Sequence, residues 1–250
     1  MIASERRLYI QRSLEQKGIV NLKEIAKELG IAEITVRRDF EKMEASGLLK
    51  RVQGGAILED SLDSAELTMK GKRTVNAGAK LKVAEYAAGL VKDGDTVFID
   101  AGTSTAQTVD FLAHKRITIV TYNDLVVKKF SKPVMADIYM IGGKYVPGFS
   151  MFIGAVAQES LGQYHFDCAF LGCTSVELQE RMSYTTDADS LMMKRIAMAN
   201  TSKNYLLIDA TKLQRRSFLK FTATDDFEKV LCDLPAEPAL AEYPENFVLV

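Results

Sequence analysis

Between residues 22 and 45 two helix-forming stretches are separated only by Gly30, Ile31 and Ala32. So short a connection forces the helices together as a helix-turn-helix unit. The first stretch is sharply delimited. Asn21 is an N-cap with Glu24 at the third helical position, a capping box, while Val20 and Ile25 occupy the hydrophobic-staple positions. Leu22, Ile25, Ala26 and Leu29 form one apolar stripe, and Gly30 supplies the C-terminal cap. The second stretch runs from Glu33 to about Ala45 and stops at Ser46-Gly47. At about 100° per residue, Val36, Phe40 and Met43 share a face, Ile34, Arg38 and Glu41 lie nearly opposite, and Arg37 flanks them. Ser4 to about Lys17, with Ile10 and Leu14 on one side and Gly18 at its end, makes a preceding helix.

Leu48 to Leu58 reads as two short apolar-rich runs around Gly54-Gly55, a hairpin. A hairpin directly behind the second helix, carrying Lys50 and Arg51, makes residues 1–58 a winged helix-turn-helix. Such a unit lays its second helix in the DNA major groove, where arginines reach base edges, and its wing against phosphate. The candidate DNA contacts are Ile34, Thr35, Arg37, Arg38, Lys50 and Arg51. Charge agrees: residues 1–56 hold eleven Lys and Arg against eight Asp and Glu, in a chain whose net charge is −1. The competing reading, a helical cap with solvated arginines, does not account for capping, stripe, turn and wing together.

Residues 59–74 are polar, without a strong period, and read as a linker to a larger domain spanning 75–250. There helices alternate with β-rich runs: a helix over about 77–92, runs at 96–100, 117–121 and 138–141, a helix after Ser104, another around Leu125, and further runs at 169–171, 205–208, 230–232 and 247–250. That alternation implies an α/β fold, a mostly parallel Rossmann-like sheet covered on both faces. Ligand chemistry in such sheets gathers beyond the carboxyl ends of the strands. At those ends stand Asp100, then Gly102-Thr103-Ser104-Thr105, Thr121-Tyr122-Asn123, Gly142-Gly143-Lys144, and Asp209-Ala210-Thr211-Lys212. Amides, hydroxyls, lysines and carboxylates together suit a sugar phosphate. Each group alone also fits a cap, a turn or a surface ion pair. Two histidines and three cysteines without close spacing leave few ligands for a metal, and no cofactor is expected. No apolar run of about 18 residues is present, and the opening MIASERRLYI lacks a signal-peptide core, so a cytoplasmic protein away from membranes is expected.

Thr35-Val36-Arg37-Arg38-Asp39-Phe40 and Arg51-Val52-Gln53-Gly54-Gly55-Ala56 resemble the DNA-binding head of DeoR-type bacterial transcriptional regulators, with Ala32 where the family usually has a Ser cap and Gln53 where it has His. The resemblance extends through Asp93-Gly94-Asp95-Thr96-Val97-Phe98-Ile99-Asp100-Ala101-Gly102-Thr103-Ser104, Thr121-Tyr122-Asn123, Ile141-Gly142-Gly143, Phe152-Ile153-Gly154, Thr185-Thr186-Asp187 and Leu207-Ile208-Asp209-Ala210-Thr211-Lys212. It implies a sensor domain sharing the fold of ribose-phosphate isomerases and a phosphorylated sugar as effector. The implied effector site comprises the Gly102 to Thr105 loop, Asp187, Lys194, Asp209 and Lys212, with Lys80 reaching in. The expectation is a DNA-binding repressor of carbohydrate-metabolism genes, not an enzyme, whose partners are operator DNA, a sugar phosphate and further copies of itself as a homodimer or homotetramer. The rival is a sugar-phosphate isomerase with an N-terminal assembly module, using Asp100, Asp187 or Asp209 as base.

Overall fold

The computed structural model describes residues 2–17, 19–52, 54–57, 76–130, 134–233 and 243–250. Gly18, Gln53, Leu58 and the expected linker 59–74 therefore lie outside the described residues. The chain divides into two units, Met1–Val75 and Asn76–Val250. In the first, helices α1 (Ala3–Lys17), α2 (Leu22–Leu29) and α3 (Glu33–Ala45) enclose the apolar stripes. Ile10, Leu14, Ile25, Val36, Phe40, Met43 and Leu49 are all essentially without solvent exposure. Asn21 Oδ1 accepts from the backbone N–H of Lys23 (2.9 Å) and Glu24 (3.4 Å), while the exposed Glu24 makes no return bond among those described. At the turn Gly30 adopts φ +63°, and the N–H of Ile31 reaches back to Ala26 O at 3.0 Å. A left-handed residue with that backward bond is how a glycine terminates a helix.

The expected hairpin is a three-stranded antiparallel sheet in the order β1-β3-β2, formed by β1 (Ile19–Asn21), β2 (Lys50–Val52) and β3 (Gly55–Ile57). β1 escapes sequence reading because it is three residues long and two of them, Val20 and Asn21, also serve as staple and cap. The two glycines meet different demands. Gly54 turns at φ +84°, whereas a Cβ on Gly55 would stand 2.1 Å from Val20 O across the β1–β3 pair.

The second unit begins with α4 (Ala77–Gly89) and β4 (Thr96–Ile99), followed by α5 (Thr103–Gln107), α6 (Val109–Leu112), β5 (Thr118–Thr121), α7 (Asp124–Lys129) and β6 (Asp137–Met140). Next come β7 (Lys144–Val146), β8 (Met151–Ile153), α8 (Ala155–Leu161), β9 (Phe166–Leu171), β10 (Ser175–Glu177), β11 (Met182–Thr185) and α9 (Ala188–Ala199). β12 (Thr201–Ile208), β13 (Leu219–Ala223), β14 (Lys229–Cys232) and β15 (Phe247–Leu249) complete it. Seven strands make a parallel sheet in the order β15-β14-β12-β9-β4-β5-β6. Both faces are covered. Phe98, Ala169 and Leu206 enter one core, and Val97, Ile99, Phe170 and Leu207 the other, which is why these strands read as continuous apolar runs.

α4 stops at Gly89 rather than at Lys92, and Lys115 Nζ donates to Ala88 O (2.9 Å) in its last turn and to Val91 O (2.5 Å) just beyond it. Two antiparallel elements were not anticipated, the β7–β8 hairpin and a small sheet β10-β11-β13. Both are built from runs of three to five residues, too short to show a period.

Candidate functional site

In the first unit the predicted contact residues of α3 lie opposite its buried stripe. Ile34 is 54% exposed, Thr35 is half-buried, and Arg37 and Arg38 are exposed, with no hydrogen bond or ion pair among those described. Ala32 makes no side-chain cap. Asp39, the acid that follows the two arginines, is buried. Its carboxylate accepts from Arg6 Nε at 2.7 Å and Nη2 at 3.3 Å, fastening α1 to α3. Lys50 is exposed on β2. Arg51, predicted to touch phosphate beside it, is engaged within the protein. Its Nε donates to Glu44 Oε2 (2.5 Å), its backbone N–H to Glu44 Oε1 (2.9 Å) and Nη1 to Glu41 Oε1 (3.1 Å). These bonds hold the Glu44 carboxyl below its usual range and raise the Arg51 guanidinium. Arg51 therefore pins the wing to the recognition helix. Between α2, α3 and the wing runs a groove of about 630 Å³, lined by Asn21, Lys23, Glu33, Arg37, Glu41 and Arg51 among others.

In the second unit the strand order reverses between β4 and β9, since β5 and β6 continue on one side of β4 and β9, β12, β14 and β15 on the other. The crevice at such a switch point is where open α/β sheets bind ligands. Asp100 stands there with no solvent exposure. It accepts from the Tyr122 hydroxyl at 2.5 Å, from Gly172 N at 2.9 Å, and from Lys194 Nζ, which also donates to Gly172 O at 3.0 Å. Burial, then the Asp100 charge, drives the Tyr122 pKa far above normal, so the phenol stays a donor. The cluster closes the ends of β4 and β9 and fastens α9 to the sheet.

Several other predicted residues shape the loop after β4. Thr105 Oγ1 donates to Asp100 O (2.8 Å) and Gly102 O (3.0 Å). Asn123 Nδ2 donates to the same two carbonyls at 3.1 and 3.3 Å, while its Oδ1 accepts from Leu125 N. Thr103 and Gly102 are half-exposed. Ser104 differs from all of these: its Oγ is buried with no hydrogen-bond partner among the described residues. An unpaired buried hydroxyl costs stability, a state Ser104 shares with Ser175 and Thr224.

Asp209 lies one strand over, at the end of β12, and accepts from Asn76 Nδ2 (3.0 Å) and the Thr211 hydroxyl. Burial alone would raise its pKa. Lys212, the Thr211 hydroxyl, Lys80 and Asn76 outweigh that and hold the carboxyl below its usual value. Lys212 Nζ donates to Cys173 O at 2.9 Å, and Lys80 is buried. Lysine 194 thus faces carboxylate 100 and lysines 80 and 212 face carboxylate 209, with Asp233 nearby accepting from Ala210 N at 2.6 Å. Asp187 caps α9 by accepting from Ser190 N at 2.6 Å. Gly143 has a backbone role: at φ +151° it passes so close to β8 that a Cβ would stand 2.6 Å from Ile153 O.

Sequence reasoning passed over Tyr122, Gly172, Cys173 and Ser190. Tyr122 sits inside the Thr-x-Asn motif, and Gly172-Cys173 directly follow an expected strand, so position alone marked them. Cys173 lies among the Lys212, Lys194, Asp209 and Asp100 charges, with its thiol pushed up to about 11, chiefly by burial. All three cysteines are free and buried. Among the described residues no group of three or more His, Cys, Asp or Glu is placed to hold a metal ion, and no helix is long and apolar enough to cross a membrane.

Residues 75–234 match the DeoR C-terminal sensor domain and residues 6–62 the DeoR-like helix-turn-helix domain. An uncharacterised HTH-type transcriptional regulator, FruR, of Bacillus subtilis is 31% identical over 254 residues, covering 100% of this chain and 98% of that protein. The lactose phosphotransferase system repressor of Staphylococcus aureus is 30% identical over 231 residues, 91% of each. Among solved structures, ribose 5-phosphate isomerase A of Methanocaldococcus jannaschii aligns over 55% of each chain with TM-score 0.41 and 20% identity.

Proposed function

We propose, for a chain that belongs to the DeoR family of transcriptional regulators, that it is a sequence-specific repressor of carbohydrate-metabolism genes whose DNA affinity falls when a phosphorylated sugar binds its second unit. The observation that carries this reading is the state of Arg37 and Arg38. They stand exposed on the outward face of α3 with no protein partner among the described residues, while Arg6 and Arg51 next to them are engaged by carboxylates. Cations left in water are available to a polyanion and to guanine edges. Residues 1–58 act as the DNA-binding domain, 59–74 as a linker and 75–250 as the sensor, in the bacterial cytoplasm.

The effector site of this proposal lies between Ser104, Gly102 and Thr103 on one side and Lys80, Lys212 and Asp209 on the other. A phosphate group supplies the acceptor that Ser104 Oγ lacks and meets the ammonium groups of Lys80 and Lys212. The effector must bind the DNA-weak state better, and the coupling is reciprocal, typically about 1–3 kcal/mol. One head covers one half-site, so the active species is a homodimer or homotetramer.

The isomerase reading needs a carboxylate free to take a proton from carbon. Asp100 already accepts three donors, Asp187 caps a helix, and Asp209, whose carboxyl is held below its usual value and accepts from Asn76 and Thr211, is a weakened base. Fluorescence anisotropy of a labelled duplex from the adjoining genes, at two salt concentrations and with a panel of sugar phosphates, tests the proposal. Selective binding relieved by one sugar phosphate is expected. Equal affinity for scrambled duplex at every salt, with turnover of a sugar phosphate lost in Asp187→Asn, would establish the enzyme instead.

A further inference from the structure

Asn76 stands at the start of α4 and does not cap it. Asn21, Asn123 and Asp187, which do cap helices, have extended backbones (φ −91°, −98° and −112°) and accept from N–H groups of the helix they precede. Asn76 is of a residue type well suited to that task, yet its backbone is left-handed, φ 51° and ψ 37°, and its side chain makes no bond to α4. Few residues other than glycine tolerate that conformation, Asn among them. The N–H groups of Gly78 and Ala79, which a cap would take, meet no acceptor among the described residues. The amide is engaged elsewhere. Asn76 Nδ2 donates to Asp209 Oδ1 (3.0 Å), 133 residues away, and to Thr211 Oγ1 (3.1 Å). The Thr211 hydroxyl donates to the same Asp209 oxygen and closes the ring.

We infer that Asn76 is a two-position switch that carries occupancy of the effector site to the chain entering the second unit. In the clamped position its amide holds Asp209 and its backbone is left-handed. In the capping position its Oδ1 accepts from Gly78 or Ala79 N–H and its backbone is extended, as at the other three caps. The positions exclude each other, because each needs its own φ. The inference rests on the regulator reading, in which a sugar phosphate uses Asp209. Oδ1 already accepts two donors, and a carboxylate oxygen has about two lone-pair sites. A sugar hydroxyl donating there displaces one of them. Thr211 belongs to the same turn as Asp209, so Asn76 is the donor that leaves, and α4 offers it the unmet N–H groups. Lys80, buried one turn further along α4, faces the same carboxylate, so a ligand drawing on both works directly on the helix start. The sign follows from linkage. The effector competes with the clamp and also disfavours DNA, so the clamped position belongs to the DNA-strong state. Met1–Val75 joins the second unit through this residue, and a change in its φ turns the chain that leads to the head.

Asn76→Asp in the full chain tests the switch without an effector. A carboxylate cannot donate to Asp209 but caps a helix about as well as Asn does, so the variant is held in the capping position. In anisotropy with the duplex from the adjoining genes its affinity should fall by about fivefold or more, the lower end of ordinary coupling, while the melting curve holds or rises. Ala77→Asp sets the same charge on the exposed neighbouring residue without touching the clamp, and should bind as the parent does. Amide exchange gives a second reading: the N–H groups of Gly78 and Ala79 should exchange fast in the parent and slowly in Asn76→Asp. Parental affinity in Asn76→Asp, an equal loss in Ala77→Asp, or unchanged exchange at both amides overturns the inference and leaves the regulator reading standing. A parent chain that does not distinguish the duplex from a scrambled one sinks the regulator reading, and the switch with it.

Discussion

The two units handle charge in opposite ways. In the head the carboxylates engage the arginines that build the scaffold, Arg6 by Asp39 and Arg51 by Glu44 and Glu41, and leave Arg37, Arg38 and Lys50 in water. In the body the charged groups of the site are buried: Lys194 and Asp100 form an ion pair whose side chains are 5% and 0% exposed. Lys80 and Asp209 are buried as well. Under the proposed function the difference follows from the ligands. A polyanion arrives with its own counterions and is met best by solvated cations that release them. A small anion must be taken out of water, so its cations have to be held beforehand, each buried charge compensated.

If that contrast is real, breaking it in the body should cost most. Lys194→Met leaves the Asp100 carboxylate buried and unpaired, and is expected to lower unfolding stability by about 3–5 kcal/mol in urea titration of the full chain, with the loss confined to the body's transition. Adding Asp100→Asn should recover most of it. A single-variant cost near that of an exposed ion pair would show that the clasp is solvated.

The head should respond in affinity rather than stability. Arg37→Ala or Arg38→Ala is expected to weaken operator binding roughly tenfold to a hundredfold and relax selectivity at one base position, while the melting curve stays unchanged. Arg51→Ala sharpens the distinction. Since that guanidinium is spent on Glu44 and Glu41, its loss should weaken DNA binding less than Arg38→Ala does, and loosen amide-exchange protection in the wing. Equal loss in both variants would return Arg51 to the DNA surface.

Ser104→Ala separates ligand binding from folding. Because the hydroxyl has no partner among the described residues, stability should hold or rise slightly, whereas the effector concentration needed to release DNA should increase about tenfold, the value of one hydrogen bond to a charged group. The smallest effect concerns pH. The Asp209 carboxyl is depressed in the folded chain, so its contribution is fully present above the ordinary aspartate value of about 3.9 and is lost as pH falls through the folded value. Asp209→Asn should leave the stability profile between pH 5 and pH 7 parallel to that of the parent chain and flatten only its acid limb.

The sequence by itself determined the elements and the two-part plan. The stripes at Leu22–Leu29 and Val36–Met43, the cap at Asn21, the stop at Gly30 and the alternating runs from Thr96 onward are local signals, because helix and strand periods are written in neighbouring residues. The same signals placed the candidate residues at the strand ends. Tertiary structure decided which of them are free. Asp100, Thr105 and Asn123 carry the right groups for a ligand, yet their hydrogen bonds are consumed by Tyr122, Gly172, Lys194 and the carbonyls of the loop itself. Arg51 is claimed by Glu44, seven residues away, and Lys194 by Asp100, at a separation of 94. Hydrogen-bond capacity is a property of atoms, whereas its satisfaction depends on which distant residues fold alongside, and no local pattern records that. β1 and the small sheet β10-β11-β13 were hidden for the same reason: runs of three to five residues are too short to display a period, and they become strands only when a partner strand lies beside them.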